Sequence, residues 1–281
     1  MQISVIIPAA GSGQRFAAST GDQVSKVEAS LGGRPVFLRS VELFGGRKDV
    51  GQILLAVPPD ELEPFKFKYG DRLGFAGVKV VPGGRRERWE SVLEALKAVD
   101  EQATHIAVHD AVRPLASQAL LDRLFEAVKT CRAVVPGLPV VGTLKRVATP
   151  SADEKRGDED DPMDAILGDA GKIDIPTSLV TQTVDRADLV EVQTPQVFEA
   201  RMLRSAYAAL AVGRGADRPT DDASVVEAAG HTVHIVEGEA ANLKITRGDD
   251  LKMAEAWVAA TCEQKAADLA KRRLFADDDE R

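Results

Sequence analysis

The sequence predicts an α/β protein with a mostly parallel sheet flanked by helices. Three observations carry that expectation. Short runs of Val and Ile alternate with longer amphipathic stretches along the chain. Most of the short runs are bounded by Gly, Pro or Asp, as buried strands are. At 281 residues the chain is also long enough to bury a full core.

The strands expected in order are Ser4–Ile7, Gln52–Val57, Val78–Val81, His105–Val108, Ala133–Val135 and Thr232–Val236. Between them, Val36–Phe44, Trp89–Val99, Ser117–Thr130 and Arg201–Ala211 carry apolar residues at helical spacing. In such a sheet, ligands bind at the carboxyl ends of the strands. One segment breaks the alternation. Between Thr149 and Pro176 lie Asp153, Glu154, Asp158, Glu159, Asp160 and Asp161 among Gly, Ser and Pro. That composition buries little, so a solvated insertion is expected at 149–176, with an acidic partner-binding loop as the alternative. Lys271 to Arg281 is expected to be a helix end with a charged tail.

Charge and cysteine usage narrow the function. The 36 Lys and Arg against 44 Asp and Glu leave a net charge of −8, which argues against bulk nucleic-acid binding. Cys131 and Cys262 lack CxxC spacing and are expected to be free thiols rather than a disulfide or zinc pair. No stretch reaches the ~18 apolar residues of a membrane span, and the N-terminus lacks a signal-peptide layout. A cytoplasmic enzyme with no membrane association is the expectation.

The first strand runs into Pro8-Ala9-Ala10-Gly11-Ser12-Gly13-Gln14-Arg15-Phe16. A dinucleotide fingerprint needs a third glycine and an acidic residue ending the next strand, and both are missing. A P-loop needs Gly-Lys-Ser/Thr, which is missing too. Small residues at 9–13 let backbone N–H groups approach an anion closely. Arg15 supplies a planar fork for phosphate oxygens and Lys26 a mobile point charge. An ordinary strand-to-helix turn with both cations solvated fits the loop taken alone.

Later motifs change that balance. They are Gly83-Gly84 with Arg88 and Ser91-Val92, then His109-Asp110-Ala111-Val112-Arg113-Pro114, then Thr143-Leu144-Lys145-Arg146. Thr194-Pro195-Gln196, Thr220-Asp221-Asp222-Ala223-Ser224 and Asn242-Leu243-Lys244-Ile245-Thr246 follow. Together with the first loop, this series resembles the 2-C-methyl-D-erythritol 4-phosphate cytidylyltransferases among the sugar nucleotidyltransferases. The resemblance covers about residues 3 to 258 apart from the acidic insertion.

The resemblance implies a Rossmann-like nucleotidyltransferase fold with a protruding dimerisation arm. It divides the chain into residues 1–258, including an arm at about 137–182, and a C-terminal helix end with charged tail at 259–281. The implied reaction transfers CMP from CTP to 2-C-methyl-D-erythritol 4-phosphate, giving CDP-methylerythritol and pyrophosphate in non-mevalonate isoprenoid precursor synthesis. Because two phosphates must meet, its catalysis is positioning and charge neutralisation, without a nucleophilic side chain. Arg15, Lys26 and Lys244 are the implied catalytic cations. The nucleotide falls to Pro8, Ala9, Ala10, Gly11, Ser12, Gly13, Gly83, Gly84, Ser91 and Ala111, and the acceptor to Asp110, Arg113, Thr143, Arg146 and Thr220.

Asp110 follows an apolar run and is a hard oxygen donor suited to Mg²⁺, though a turn aspartate before Pro114 has the same pattern. Arg113 could hold the acceptor phosphate or close its own loop. Lys145-Arg146 could be a solvated strand end, and Thr220-Asp221 could cap a helix over Asp222–Ala229 as well as bind. A charge at Lys244 beside apolar residues needs an anionic partner. His109 is expected to be structural, because the attacking phosphate is already anionic. In the family the arm embraces a neighbouring subunit, so the resemblance implies a homodimer with Arg146 reaching the partner's site.

The sequence departs from the family pattern at Val24-Ser25-Lys26-Val27, where Pro-Lys-Gln is usual and the loop Ala17–Gln23 is enlarged. It also carries one extra residue before Ser91, and the insertion after Arg146. Ribitol 5-phosphate as acceptor, or a nucleotide-binding relative without catalysis, are the alternatives.

Overall fold

In the computed structural model the described residues are 1–11, 14–20, 25–149, 177–213 and 219–276, the side chains of 14–15 and 265–276 excepted. They form two compact units, residues 1–138 with 192–281, and residues 139–191.

The larger unit is organised by one sheet. Among its eight described strands are β1 (Ile3–Pro8), β4 (Val50–Val57), β5 (Val78–Pro82), β6 (His105–Val108), β7 (Ala133–Pro139), β11 (Gln196–Glu199) and β12 (His234–Glu237). β1 lies between β4 and β6, and β5 lies beyond β4, all parallel. β11 runs antiparallel between β6 and β7, and β12 pairs parallel with β7. The two-residue strands β2 (Ser30–Leu31) and β3 (Arg34–Pro35) form a separate ribbon after the first loop.

Alternation along β1 builds two cores. Ile3, Val5 and Ile7 point to one face with Ile53, Leu55 and Val57 of β4, while Ile6 points to the other with Leu54 and Ala56. The first face is covered by α2 (Val36–Glu42), α3 (Leu62–Phe75) and α5 (Gln118–Ala127), through Phe37, Phe65 and Leu124. The second is covered by α4 (Arg88–Leu96), α6 (Ala200–Ala211) and α7 (Asp222–Ala228), through Val92, Leu203 and Val226. Both faces being covered explains why the central strands read as unbroken apolar runs. Two further helices are α1 (Gln14–Thr20) and α8 (Gly248–Ala276), joined where Ser19 Oγ accepts the Gly248 N–H at 2.9 Å.

Every strand expected from the sequence is present, with one difference. The expected Thr232–Val236 begins at His234 and is largely exposed, because β12 is an edge strand. The expected helix at Asp222–Ala229 starts at its N-cap Asp221, whose carboxylate accepts the Ser224 N–H at 2.9 Å.

The smaller unit contains β8 (Leu144–Ala148) paired antiparallel with β9 (Leu179–Val184). Its return strand β10 (Val190–Val192) reaches the boundary of the unit. The acidic insertion, apart from Thr149, and the tail beyond Ala276 lie outside the described residues. No helix among the described residues is long and apolar enough to cross a membrane.

Candidate active site

Two cavities open at the carboxyl ends of β1 and β6. One, of about 150 Å³, is lined by Pro8, Ala9, Ala10 and Gly11 at the end of β1, with Lys26, Ser91, Ala111 and Lys244. The other, of about 240 Å³, is lined by Arg113, Thr194, Gln196, Thr220 and Asp221. Arg88, Asp110 and Lys244 line both, so these three side chains form a shared wall.

The sequence builds each piece locally. The N–H of Ala9 donates to Ala56 O at 2.7 Å, which carries β1 pairing one residue past the strand before the chain turns. On the next strand but one, Gly83 N–H donates to Val57 O at 2.7 Å and Gly84 N–H to Ser91 Oγ at 3.0 Å. A Cβ at Gly83 would sit 3.1 Å from Ala10 Cβ and from Ser91 Oγ, and one at Gly84 only 2.3 Å from Glu90 Cβ. These glycines therefore allow the β5–α4 turn to close against the first loop. Glu87 and Glu90 form a capping box that fixes the start of α4, so Arg88 emerges from a rigid helix end.

Asp110 is the electrostatic centre. Its Oδ1 accepts from Arg88 Nε at 2.7 Å, and its Oδ2 lies 2.7 Å from Lys244 Nζ and 3.9 Å from Arg113 Nε. Burial alone would raise its pKa; the charges of Arg88, Lys244 and Arg113, with the Lys244 hydrogen bond, overrule burial and hold the carboxyl far below the usual range. Arg88 continues to Asp222, with Nη1 at 2.8 Å from Oδ2. Burial would lower the Arg88 pKa, but Asp222 and then Asp110 raise it well above its ordinary value. Three cations face two carboxylates here, leaving one surplus positive charge at the junction of the cavities. That suits a phosphate.

His109 stands behind this cluster. Its Nε2 lies 3.1 Å from Arg113 O and its Nδ1 3.1 Å from Thr194 Oγ1, which itself accepts the Asp110 N–H at 3.0 Å. The carbonyl partner requires Nε2 to donate, so Nδ1 accepts from the Thr194 hydroxyl. Burial pushes the ring's pKa down to about 4, which keeps it neutral and structural. Lys244 lies in an irregular segment after β12, where Asn242 donates to Thr194 O at 2.8 Å and Ile245 N–H to Val112 O at 2.9 Å. Arg113 Nη1 donates to Asn242 O at 2.7 Å, so Arg113 ties its loop to the segment that carries Lys244.

The cavities thus gather Pro8, Ala9, Ala10, Gly11, Lys26, Ser91, Asp110, Ala111, Arg113, Thr220 and Lys244. Gly83 and Gly84 line an adjoining depression of about 520 Å³ with Arg85, Arg86 and Trp89. Ser12 and Gly13 lie outside the described residues, as does the side chain of Arg15, whose backbone is in the first turn of α1. Thr143 and Arg146 belong to the smaller unit, Arg146 within β8.

Residues that sequence reasoning left without a role are Arg88, Asp222, Tyr207, Gln196 and Asn242. All but Tyr207 lie in the motifs quoted above. Larger depressions of about 820 and 700 Å³ lie elsewhere on this unit. In the first, Arg132 pairs with Glu199 and Arg204 is spent on the carbonyls of Leu96, Val99 and Asp100, so both guanidinium groups are already engaged.

The expected magnesium ligand does not fit the arrangement as a resident metal centre. Both Asp110 oxygens are already engaged by cations, and no group of three or more His, Cys, Asp or Glu side chains among the described residues could hold an ion.

The model of the 2-C-methyl-D-erythritol 4-phosphate cytidylyltransferase family, IspD, matches residues 3–157 and 165–260. The chain belongs to that family. The break in the match, residues 158–164, falls within the acidic insertion. The chain is 37% identical over 265 residues to the 2-C-methyl-D-erythritol 4-phosphate cytidylyltransferase of Rhodopirellula baltica, covering 90% of this chain and 93% of that one. It is 36% identical to the enzyme of the same name from Acidobacterium capsulatum, covering 90% and 96%. The crystal structure of the enzyme of that name from Thermus thermophilus superposes with a TM-score of 0.65 at 31% identity, covering 92% of this chain and 98% of that one. IspD membership makes the chain a CTP-dependent nucleotidyltransferase on a mixed, mostly parallel α/β sheet.

Proposed function

We propose that this chain transfers CMP from CTP to 2-C-methyl-D-erythritol 4-phosphate. An oxygen of the acceptor phosphate bonds to the α-phosphorus, the α–β phosphoanhydride bond breaks, and pyrophosphate carries away the electron pair. The observation that supports this reading best is the pair of cavities sharing one wall of Arg88, Asp110 and Lys244. One cavity has the glycine turn that a nucleotide phosphate requires, and the other has the cations that a second phosphate requires.

In this reading Pro8 to Gly13 and Ala111 hold the nucleotide phosphates, while Gly83, Gly84 and Ser91 hold cytosine and ribose. Arg15, Lys26 and Lys244 offset the charge that gathers on the α-phosphate as the acceptor closes in. Asp110, Arg113 and Thr220 take the acceptor, with Thr143 and Arg146 supplied by the arm of a second copy. Magnesium would enter with CTP and supply charge neutralisation on its phosphates.

The homodimer draws support from the hairpin itself. Leu144, Val147, Leu179 and Val180 on β8 and β9 are all exposed. An isolated two-stranded hairpin is marginal in water, so a covering partner gives this one a reason to persist. The two free cysteines suit a reducing compartment, and we place the enzyme in the cytoplasm.

The test is turnover of CTP with each of two acceptors, followed by pyrophosphate release. Methylerythritol phosphate is expected to be the better substrate, in line with the relatives' names. A clear preference for ribitol 5-phosphate, or CTP binding without product, would overturn the reading.

A further inference from the structure

The carboxylate on the shared wall is braced from inside the second core. Tyr207 of α6 is 1% exposed and packs among Val226, Leu203 and Phe198, lining neither cavity. Its hydroxyl donates to Asp222 Oδ1 at 2.5 Å. Burial and the neighbouring Asp222 charge raise the Tyr207 pKa well above its ordinary value, so the proton stays on the tyrosine and the bond keeps this direction.

Asp222 is itself fully buried and opens α7. Its N–H and that of Ala223 both donate to Gln196 Oε1, at 3.1 and 3.0 Å. Its Oδ2 takes Arg88 Nη1, and Arg88 Nε takes Asp110 Oδ1. A connected row therefore runs Tyr207, Asp222, Arg88, Asp110, Lys244 from the core to the meeting point of the cavities.

At its inner end the row answers burial: the Tyr207 hydroxyl pairs the buried Oδ1 of Asp222, which a Phe would leave unpaired. The row's other end is where a use is found. A guanidinium gripped at two nitrogens by two carboxylates cannot swing, so Asp110 cannot turn away from Lys244.

We infer that Tyr207 and Asp222 are positioning residues for the transfer reaction, acting through Arg88 to hold Asp110 and, through it, the Lys244 ammonium where the two phosphates meet. This rests on the proposed roles of Asp110 and Lys244. Neither Tyr207 nor Asp222 touches substrate in this account.

Tyr207→Phe removes the hydroxyl and keeps the ring. The expected result is a fall in kcat of about tenfold, with KM for CTP within about twofold of the parent and a melting temperature lower by only several degrees, the cost of one unpaired carboxylate oxygen. Asp110→Asn is measured alongside, alone and combined with Tyr207→Phe. If the row acts through Asp110, the double variant is no worse than Asp110→Asn alone.

Additive losses, or a lowered melting temperature with unchanged kcat, would overturn the inference. An Asp110→Asn enzyme with parental kcat and acceptor KM would instead overturn the site assignment beneath it. Should Tyr207→Phe fail to fold, Asp222→Asn is judged by the same criteria. Failure of both to fold would mark the row as scaffold and also overturn the inference.

Discussion

Acidification should unload the site from His109 outward. In the fold this ring is fully buried, hydrogen-bonded at both nitrogens and edge-on to Phe44 at 5.4 Å. Its pKa is about 4 against an ordinary 6.5, so the folded ring stays neutral while the unfolded one gains a proton. A depressed histidine pKa means that stability is present above the unfolded value and is lost as pH falls between the two. Linkage then puts the loss at about 2 kcal/mol on going from neutrality to roughly pH 5, rising to about 3 kcal/mol at pH 4.

Asp110 does not confuse this window. Its folded pKa lies far below the ordinary 3.8, so its own contribution is lost only at more acid pH. His105, also depressed by burial, adds a loss in the same window, which is why a difference measurement is needed. The assay is urea unfolding at both pH values for the parent and His109→Gln. The variant is expected to be less stable at neutrality, yet to lose about 2 kcal/mol less on acidification. Equal pH slopes, or a His109 ring that titrates near its ordinary value by NMR, would refute the reasoning.

Three other outcomes follow from the proposed reading. In the proposed homodimer, mixing Arg146→Ala protomers with Lys244→Ala protomers should restore turnover that neither has alone, because each mixed dimer would hold one site with both intact; no recovery after confirmed subunit exchange would remove the arm from the site. Gly84→Ala drives a Cβ to 2.3 Å from Glu90 Cβ and 2.8 Å from Ser91 N, so a loss of about 1–3 kcal/mol and a higher KM for CTP are expected from unfolding and initial-rate measurements. Asp110→Asn should lower kcat while leaving the Mg²⁺ concentration for half-activation within about twofold, since the carboxylate is already spent on cations; a large shift in that concentration would make Asp110 a metal ligand after all.

The central strands were legible because both faces of the sheet are covered, which writes burial into the sequence as continuous Val, Ile and Leu. Helix α3 was not. Only Phe65 and Leu73 are buried along it, Phe67 and Phe75 are almost fully exposed, and Gly70 and Gly74 further blur its period. The hairpin of β8 and β9 left no pattern either, because every residue of β8 is exposed and a strand with no buried face has no alternation to show. In the site, the loop ends and single cations stood out as motifs. What joins them did not, since Arg88 and Asp222 are 134 positions apart and Tyr207 reads as one more apolar residue of an amphipathic helix.

A carboxylate in a site for two anions needs a physical reason. Asp110 subtracts from the attraction that Arg88, Arg113 and Lys244 would otherwise exert on incoming phosphate. Without it, however, three like charges within one small wall would repel each other and spread toward solvent, and each would have to be gathered again at the moment of transfer. Paired to the buried carboxylates of Asp110 and Asp222, they are in place before either substrate arrives, and the surplus of one positive charge still favours phosphate. Catalysis gains from interactions already oriented toward the charge that develops, more than from tight binding of the ground state. Under the proposed function the site gives up some phosphate affinity for fixed geometry, and a charged group that weakens binding is the one that holds the transfer machinery in position.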